Sequence, residues 1–152
     1  MKNIAILTFL LFLSHCGYSS IYKNQQSLDF KINIIKIEGD YEMNNLIKNE
    51  IKLYANTESQ KIYNIKINTD YKKEVLTKNS SGVITDYNLT TTSEVSINLK
   101  DQTKIFKFEE SINIKNESDT FEQNIYEKNI KRNFASSIRE KIISTILSLN
   151  DN

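Results

Sequence analysis

The sequence reads as an α+β two-layer sandwich, its elements running β-α-β-β-β-α, with both helices on one face of a mainly antiparallel four-stranded sheet. Two kinds of pattern predict it. In the strand-like runs apolar and polar residues alternate, which marks strands with one dry face and one wet face. In two other segments apolar residues recur three and four apart, which makes amphipathic helices able to cover the dry face. At 152 residues the chain has room for one such domain.

Residues 1–15 stand apart from that domain. Met1-Lys2-Asn3 is short and positively charged, Ile4 to Leu13 is almost unbroken apolar sequence, and Ser14-His15-Cys16-Gly17 follows. This is the layout of a secretory signal peptide. The apolar run is about ten residues, short of the ~20 that a membrane-spanning helix needs. Cys16 is the single cysteine. Leu13-Ser14-His15-Cys16 resembles the lipobox of a bacterial lipoprotein signal, with His15 where the pattern has a small residue. Lipidation of Cys16 is the expected outcome. Ordinary cleavage nearby would instead leave a free thiol or an intermolecular disulfide. Gly17, rather than Asp, after the cysteine points to the outer membrane.

Cleavage before Cys16 limits the chemistry of what remains. The single histidine leaves with the signal, the single cysteine becomes the anchor, and the sequence holds no tryptophan and no proline. Ser-His-Asp and Cys-His nucleophile systems are excluded on this reading, as are zinc or haem sites built on His or Cys. No catalytic residue, metal site or cofactor is therefore expected. With Lys2 gone, 19 basic residues face 19 acidic ones. A balanced domain has no field that favours nucleic acid.

Residues 16–28 are small and polar and read as a lipid-anchored tether, and residues 29–152 as the domain. Phe30 to Ile37 alternates, with Phe30, Ile32 and Ile34 on one face until Ile35 breaks the pattern, and is the first strand. Glu38-Gly39-Asp40 is a turn in which Asp40 can cap a helix. That helix runs from Tyr41 to Tyr54, its stripe being Met43, Leu46, Ile47, Ile51 and Tyr54. Alternation returns over Tyr63 to Tyr71, extendable to Leu76, then over Leu89 to Leu99, and again through Phe106, Phe108, Ile112 and Ile114. Lys78-Asn79-Ser80-Ser81-Gly82 forms the first hairpin loop, where Gly82 can take a positive φ. Lys100-Asp101-Gln102-Thr103 forms the second. Lys115 to Thr120 leads into a long closing helix whose expected stripe is Phe121, Ile125, Ile130, Phe134, Ile138, Ile142, Ile146 and Leu149.

Glu109-Glu110 is the one adjacent acidic pair, but neighbours on a strand point to opposite faces and cannot share one bond as an acid/base pair. Glu110 shares the apolar-face parity of Phe108 and Ile112, which places it near a sheet end or a partner surface. Lys72, Lys73 and Lys78 cluster around the first hairpin, where they could meet a phosphate-bearing ligand or simply keep the loop soluble.

The arrangement resembles the family of the lipopolysaccharide-assembly lipoprotein LptE. The features that carry the resemblance are the opening Cys16-Gly17-Tyr18, a short strand followed by the helix around Leu46 to Leu53, the long hairpin from Tyr71 to Leu99 turning at Asn79 to Gly82, and the closing run Phe134-Ala135-Ser136-Ser137-Ile138-Arg139-Glu140-Lys141-Ile142. It covers nearly all of the mature chain, and the order of elements carries more of it than any one motif. It implies an outer-membrane lipoprotein on the periplasmic side that plugs the β-barrel of LptD, helps it assemble and helps deliver lipopolysaccharide to the cell surface. It also implies lipopolysaccharide contact at Lys78, beside the hairpin tip, and at Lys115, before the last helix. A different envelope binding module, pilotin-like or a barrel-assembly accessory, is the other reading. A small hydrolase is a third.

Overall fold

The computed structural model describes residues 30–53, 59–99 and 102–150. The expected signal, Cys16 and the tether lie outside the described residues, as do Tyr54, Lys100 and Asp101. The elements are β1 (Lys31–Gly39), α1 (Tyr41–Leu53), β2 (Ile62–Lys78), β3 (Ile84–Leu99), β4 (Gln102–Lys115) and α2 (Thr120–Asn150). They form the expected α+β fold.

The sheet order is β1-β2-β3-β4. β1 pairs parallel to β2, from Lys31 opposite Ile62 to Gly39 opposite Thr69, with a register break between Ile34 and Lys36. That break puts Ile35 into solvent and accounts for the lapse in alternation there. β2, β3 and β4 form an antiparallel meander. A parallel neighbour needs a crossover, and α1 supplies it. Its start is set by Asp40, whose side chain accepts from Met43 N at 2.8 Å. Gly39, at φ +90°, makes the turn into that cap.

Both helices lie on one face. Met43, Ile47 and Ile51 of α1 and Ile130, Phe134, Ala135, Ile138, Ile142 and Ile146 of α2 share a core with Ile65, Ile67, Leu89, Val95 and Ile97. Phe30 closes the end nearest the N-terminus, its ring edge-on to Tyr63 at 5.4 Å. Polar residues on the buried face are paired: the hydroxyls of Thr69 and Ser93 lie 2.9 Å apart, and Thr91 donates to the Asp70 carbonyl at 3.1 Å. Phe106 and Phe108, on β4, are only partly covered.

Several expectations need correction. β2 runs to Lys78 and β3 begins at Ile84, so the first hairpin arms are longer than the apolar alternation indicates. Gln102 and Thr103 belong to β4 rather than to the second loop. Phe121 (72% exposed) and Ile125 (46% exposed) do not join the core stripe of α2. The five-residue step from Ile125 to Ile130 turns the helix about 140° beyond a full revolution, so the two sets lie on different faces. Over the first turns the face turned to the sheet carries Gln123 and Glu127 instead. Asp119 caps that end, accepting from Phe121 N at 2.7 Å and Glu122 N at 3.2 Å.

Candidate functional site

Three surfaces could carry function: the tip of the first hairpin, the uncovered face of the sheet, and a charged clasp between α2 and β2.

The hairpin tip is closed by its own hydrogen bonds. Asn79 Oδ1 accepts from Ser81 N at 3.0 Å and Val83 N at 2.9 Å, and Gly82 takes φ +78°. Lys78 is exposed and pairs across the turn with Ile84. Lys115, the last residue of β4, is exposed opposite Asp86 of β3, and Asp86 is also the neighbour of Thr77. Strand register thus brings Lys78 and Lys115 to the same end of the sheet. Hydrogen bonds from Thr77 and Thr85, with the charge of Lys115 as a smaller cause, hold the Asp86 carboxyl below its ordinary range. Val75, Leu76 and Val83 beside Lys78 are exposed, so the tip presents apolar surface next to ammonium groups.

Lys72 and Lys73 do not join this tip cluster. Lys72 pairs with Asp70 at 3.3 Å. Lys73 turns to the helix face, 2.7 Å from Glu127 and 4.4 Å above the Tyr87 ring. Glu127 also accepts from the Tyr71 hydroxyl at 2.9 Å. Lys131 completes the clasp, 2.6 Å from Glu42 of α1 and 4.3 Å above the Tyr71 ring. Burial, followed by the hydrogen bond and charge of Glu127, pushes the Tyr71 phenol well above its usual range. Burial alone would raise the Glu127 carboxyl, but the hydrogen bonds from Lys73 and Tyr71 and the charges of Lys73 and Lys131 outweigh it and hold the group below its ordinary 4.5. Every member is paired to another, so the cluster fastens α2 to β2 and to α1. Sequence reasoning missed it because its members are far apart in the chain. The available signal was the appearance of Lys73 where the buried face of β2 called for an apolar residue.

The clasp makes a pH prediction. A carboxyl depressed in the folded state contributes stability above its unfolded value, and that stability is lost as pH falls through the folded one. Wild type should therefore exceed Glu127→Gln in thermal stability at neutral pH, and the gap should close as pH falls below about 4.5. Parallel melting curves from pH 7 to pH 3 would contradict it.

Glu110 lies under α2 rather than at a sheet end or partner surface: it accepts from Ser137 Oγ at 2.5 Å and pairs with Lys141 at 2.6 Å, while Glu109 is exposed. The adjacent acids are divided between the two faces, as strand geometry requires.

Among the described residues no helix covers the opposite face of the sheet. It carries a ladder of amides and hydroxyls: Asn33 donates to Asn64 at 2.8 Å, Asn88 to Ser111 at 3.0 Å and to Asn113 at 2.7 Å, and Thr103 to Asn98 at 3.1 Å. Lys66, Asn68, Asp70 and Glu94 are exposed on it.

The fold is one found among bacterial lipoproteins. Rare lipoprotein B from Shewanella oneidensis matches with a TM-score of 0.56 at 16% identity, over 78% of this chain and 99% of that one. A chain described as a lipoprotein from Caulobacter crescentus matches with a TM-score of 0.55 at 12% identity, over 83% of this chain and 96% of that one. Lipoprotein B from Nitrosomonas europaea matches with a TM-score of 0.53 at 8% identity, over 83% and 90%. At these identities the likeness is one of fold. No family profile and no curated protein matches the sequence.

Proposed function

We propose that the chain is an LptE-type outer-membrane lipoprotein, anchored through Cys16 on the periplasmic side and seated in the LptD barrel. There it helps the barrel assemble and helps deliver lipopolysaccharide to the cell surface. It acts by binding, without catalysis, metal or cofactor. The observation that carries this reading is the uncovered sheet face, whose self-bonded Asn, Ser and Thr ladder is suited to a polar barrel lumen. The fold shared with rare lipoprotein B supports it.

The test is affinity purification of the tagged full chain from its own envelope. A large outer-membrane barrel should accompany it. Recovery of a different assembly partner and no such barrel would favour the pilotin-like or accessory reading. Cys16→Ala should abolish palmitate labelling, and a mature N-terminus mapped beyond Gly17 would refute lipidation there.

Lys78 and Lys115 serve as the phosphate-binding end of the subunit. Flexible ammonium groups beside exposed Val75, Leu76 and Val83 match a ligand that carries phosphates on an acylated sugar. Lys78→Glu should weaken lipopolysaccharide binding about tenfold, the loss of one charge-assisted contact, with thermal stability and barrel association unchanged. Equal binding by the variant at low salt, where surface electrostatics is strongest, would remove Lys78 from the site and leave it a solubilising charge.

A further inference from the structure

Among the described residues the sheet has two free edges, β1 and β4, and they are not treated alike. β1 is nine residues long and broken by a register shift, one of the devices that keep an edge from pairing with another chain. β4 is 14 residues long and pairs with β3 from Asp86–Lys115 to Leu99–Gln102 without one shift. It contains no proline and no glycine. Its outer edge is an extended row of backbone donors and acceptors.

Two contacts show which groups face outward. Asn116 N bonds inward to the Thr85 carbonyl, so the even-numbered residues of β4 turn their backbone groups to β3. The Glu109 carbonyl accepts instead from Lys141 Nζ at 3.2 Å, on the free side. Thr103, Ile105, Lys107, Glu109, Ser111 and Asn113 therefore aim their N–H and C=O groups outward. Ile105 is 64% exposed beside them.

The side chains along this edge are self-complementary. Lys107-Phe108-Glu109 reads with opposite charges on either side of a central aromatic residue, and both charged side chains are exposed. Neither makes an ion pair among the described residues. Antiparallel pairing of two such edges about Phe108 places each Lys107 opposite the other copy's Glu109. Shifting the centre by one residue opposes Lys107 to Lys107 or Glu109 to Glu109, which is unfavourable. Centring on Phe108 is also the choice that makes Lys107 and Glu109 a hydrogen-bonded pair, because both have outward backbone groups. An open groove of about 480 Å³ between β4 and α2, lined by Phe108, Glu140, Lys141 and Ser144 among others, lies beside this centre with room for the partner's Phe108.

We propose that the free edge of β4 binds the same edge of a second copy of this chain, antiparallel and two-fold symmetric about Phe108, making one continuous eight-stranded sheet. Lys141 gives up its bond to the Glu109 carbonyl on pairing and keeps its 2.6 Å partner Glu110. The inference does not rest on the barrel reading, since the edge is the same whatever the subunit binds. A barrel that takes the subunit singly would simply draw from the paired pool.

Disulfide trapping in the full chain, in its own membranes under mild oxidation, tests it. Two differently tagged copies, one Lys107→Cys and the other Glu109→Cys, should cross-link when expressed together. Neither should do so alone, because identical positions then lie on a diagonal of about 7 Å, beyond the reach of a disulfide. Wild type supplies the background due to Cys16. Phe108→Cys should cross-link by itself, and adding Lys107→Glu should reduce that product about tenfold by opposing like charges twice. Adding Glu109→Lys to that variant as well should restore it. The 107 and 109 replacements are on exposed positions, so a folding failure of Phe108→Cys leaves the mixed experiment decisive. No product above background from the mixture, equal product from the single variants, or cross-linking only to a different protein would overturn the proposal.

Discussion

Replacing Ile138 by alanine should lower the unfolding free energy by about 2–5 kcal/mol, the range for truncating a fully buried Ile. Ile138 is fully buried near the middle of α2, on the stripe with Phe134 and Ile142 that packs with Ile47 of α1 and Val95 of β3 in the common core. Sliding of the helix into the gap is opposed by ties on both sides of this position, one to α1 and one to the sheet. Lys131 grips Glu42 at 2.6 Å and Lys141 grips Glu110 at 2.6 Å. A cavity term therefore adds to the lost transfer energy. Urea titration with a constant slope measures the change. A loss under about half a kcal/mol, well below the range for a buried site, would mean that this face of α2 is not the packed one.

Gly39→Ala should be as costly, for a different reason. A Cβ at Gly39 would lie 2.0 Å from the Thr69 carbonyl oxygen and 2.9 Å from its carbon, both backbone atoms that no side-chain rotation can move. That oxygen also accepts from Asp40 N at 2.6 Å, the bond that delivers the chain to the start of α1. The positive φ alone costs an alanine about 1–2 kcal/mol, and relieving the overlap should bring the total to about 3 kcal/mol or more. Gly82→Ala is the control. Gly82 has φ +78° but nothing within 4 Å of its added Cβ, so it should show the dihedral cost without the steric one. Equal losses at the two glycines would refute the close-approach account.

What lies above each strand decides how much of it is legible in the sequence. Alternation was readable in β2 through Tyr71 and in β3 from Leu89 because apolar helix residues cover those stretches. It failed beyond them, where Lys73 on the covered face of β2 meets the polar first turns of α2 rather than apolar side chains, and the residues of β2 from Glu74 on are exposed. The same cause explains Phe121 and Ile125. The first turns of α2 meet Tyr71 and Lys73, so their inward face is polar and their apolar residues turn outward. Asp40 was legible as a cap from its position after a glycine. Asp119 is not legible as one, because it stands among Asn116, Ser118 and Thr120, each of a type that can cap. Lys78 and Lys115 were each visible as lysines beside a turn, but their convergence on one end depends on the pairing of β3 with both neighbours. The opposition of Lys107 and Glu109 across an edge was hidden for a similar reason. A strand's sequence does not say that it will be the outermost one.

The parallel pairing of β1 with β2 also decides how the domain bears a pull. Chain preceding Phe30 enters β1 at the end where Lys31 meets Ile62, and β1 then runs toward the hairpin tip alongside β2. Tension arriving from that side acts along the axis of β1. If the rest of the domain is held at its tip, the ladder from Lys31–Ile62 to Gly39–Thr69 is loaded in shear, all its bonds sharing the strain together. An antiparallel first strand entering from the tip would be peeled one bond at a time. The weakest-flanked strand of the sheet is thus joined in the orientation that resists extraction best.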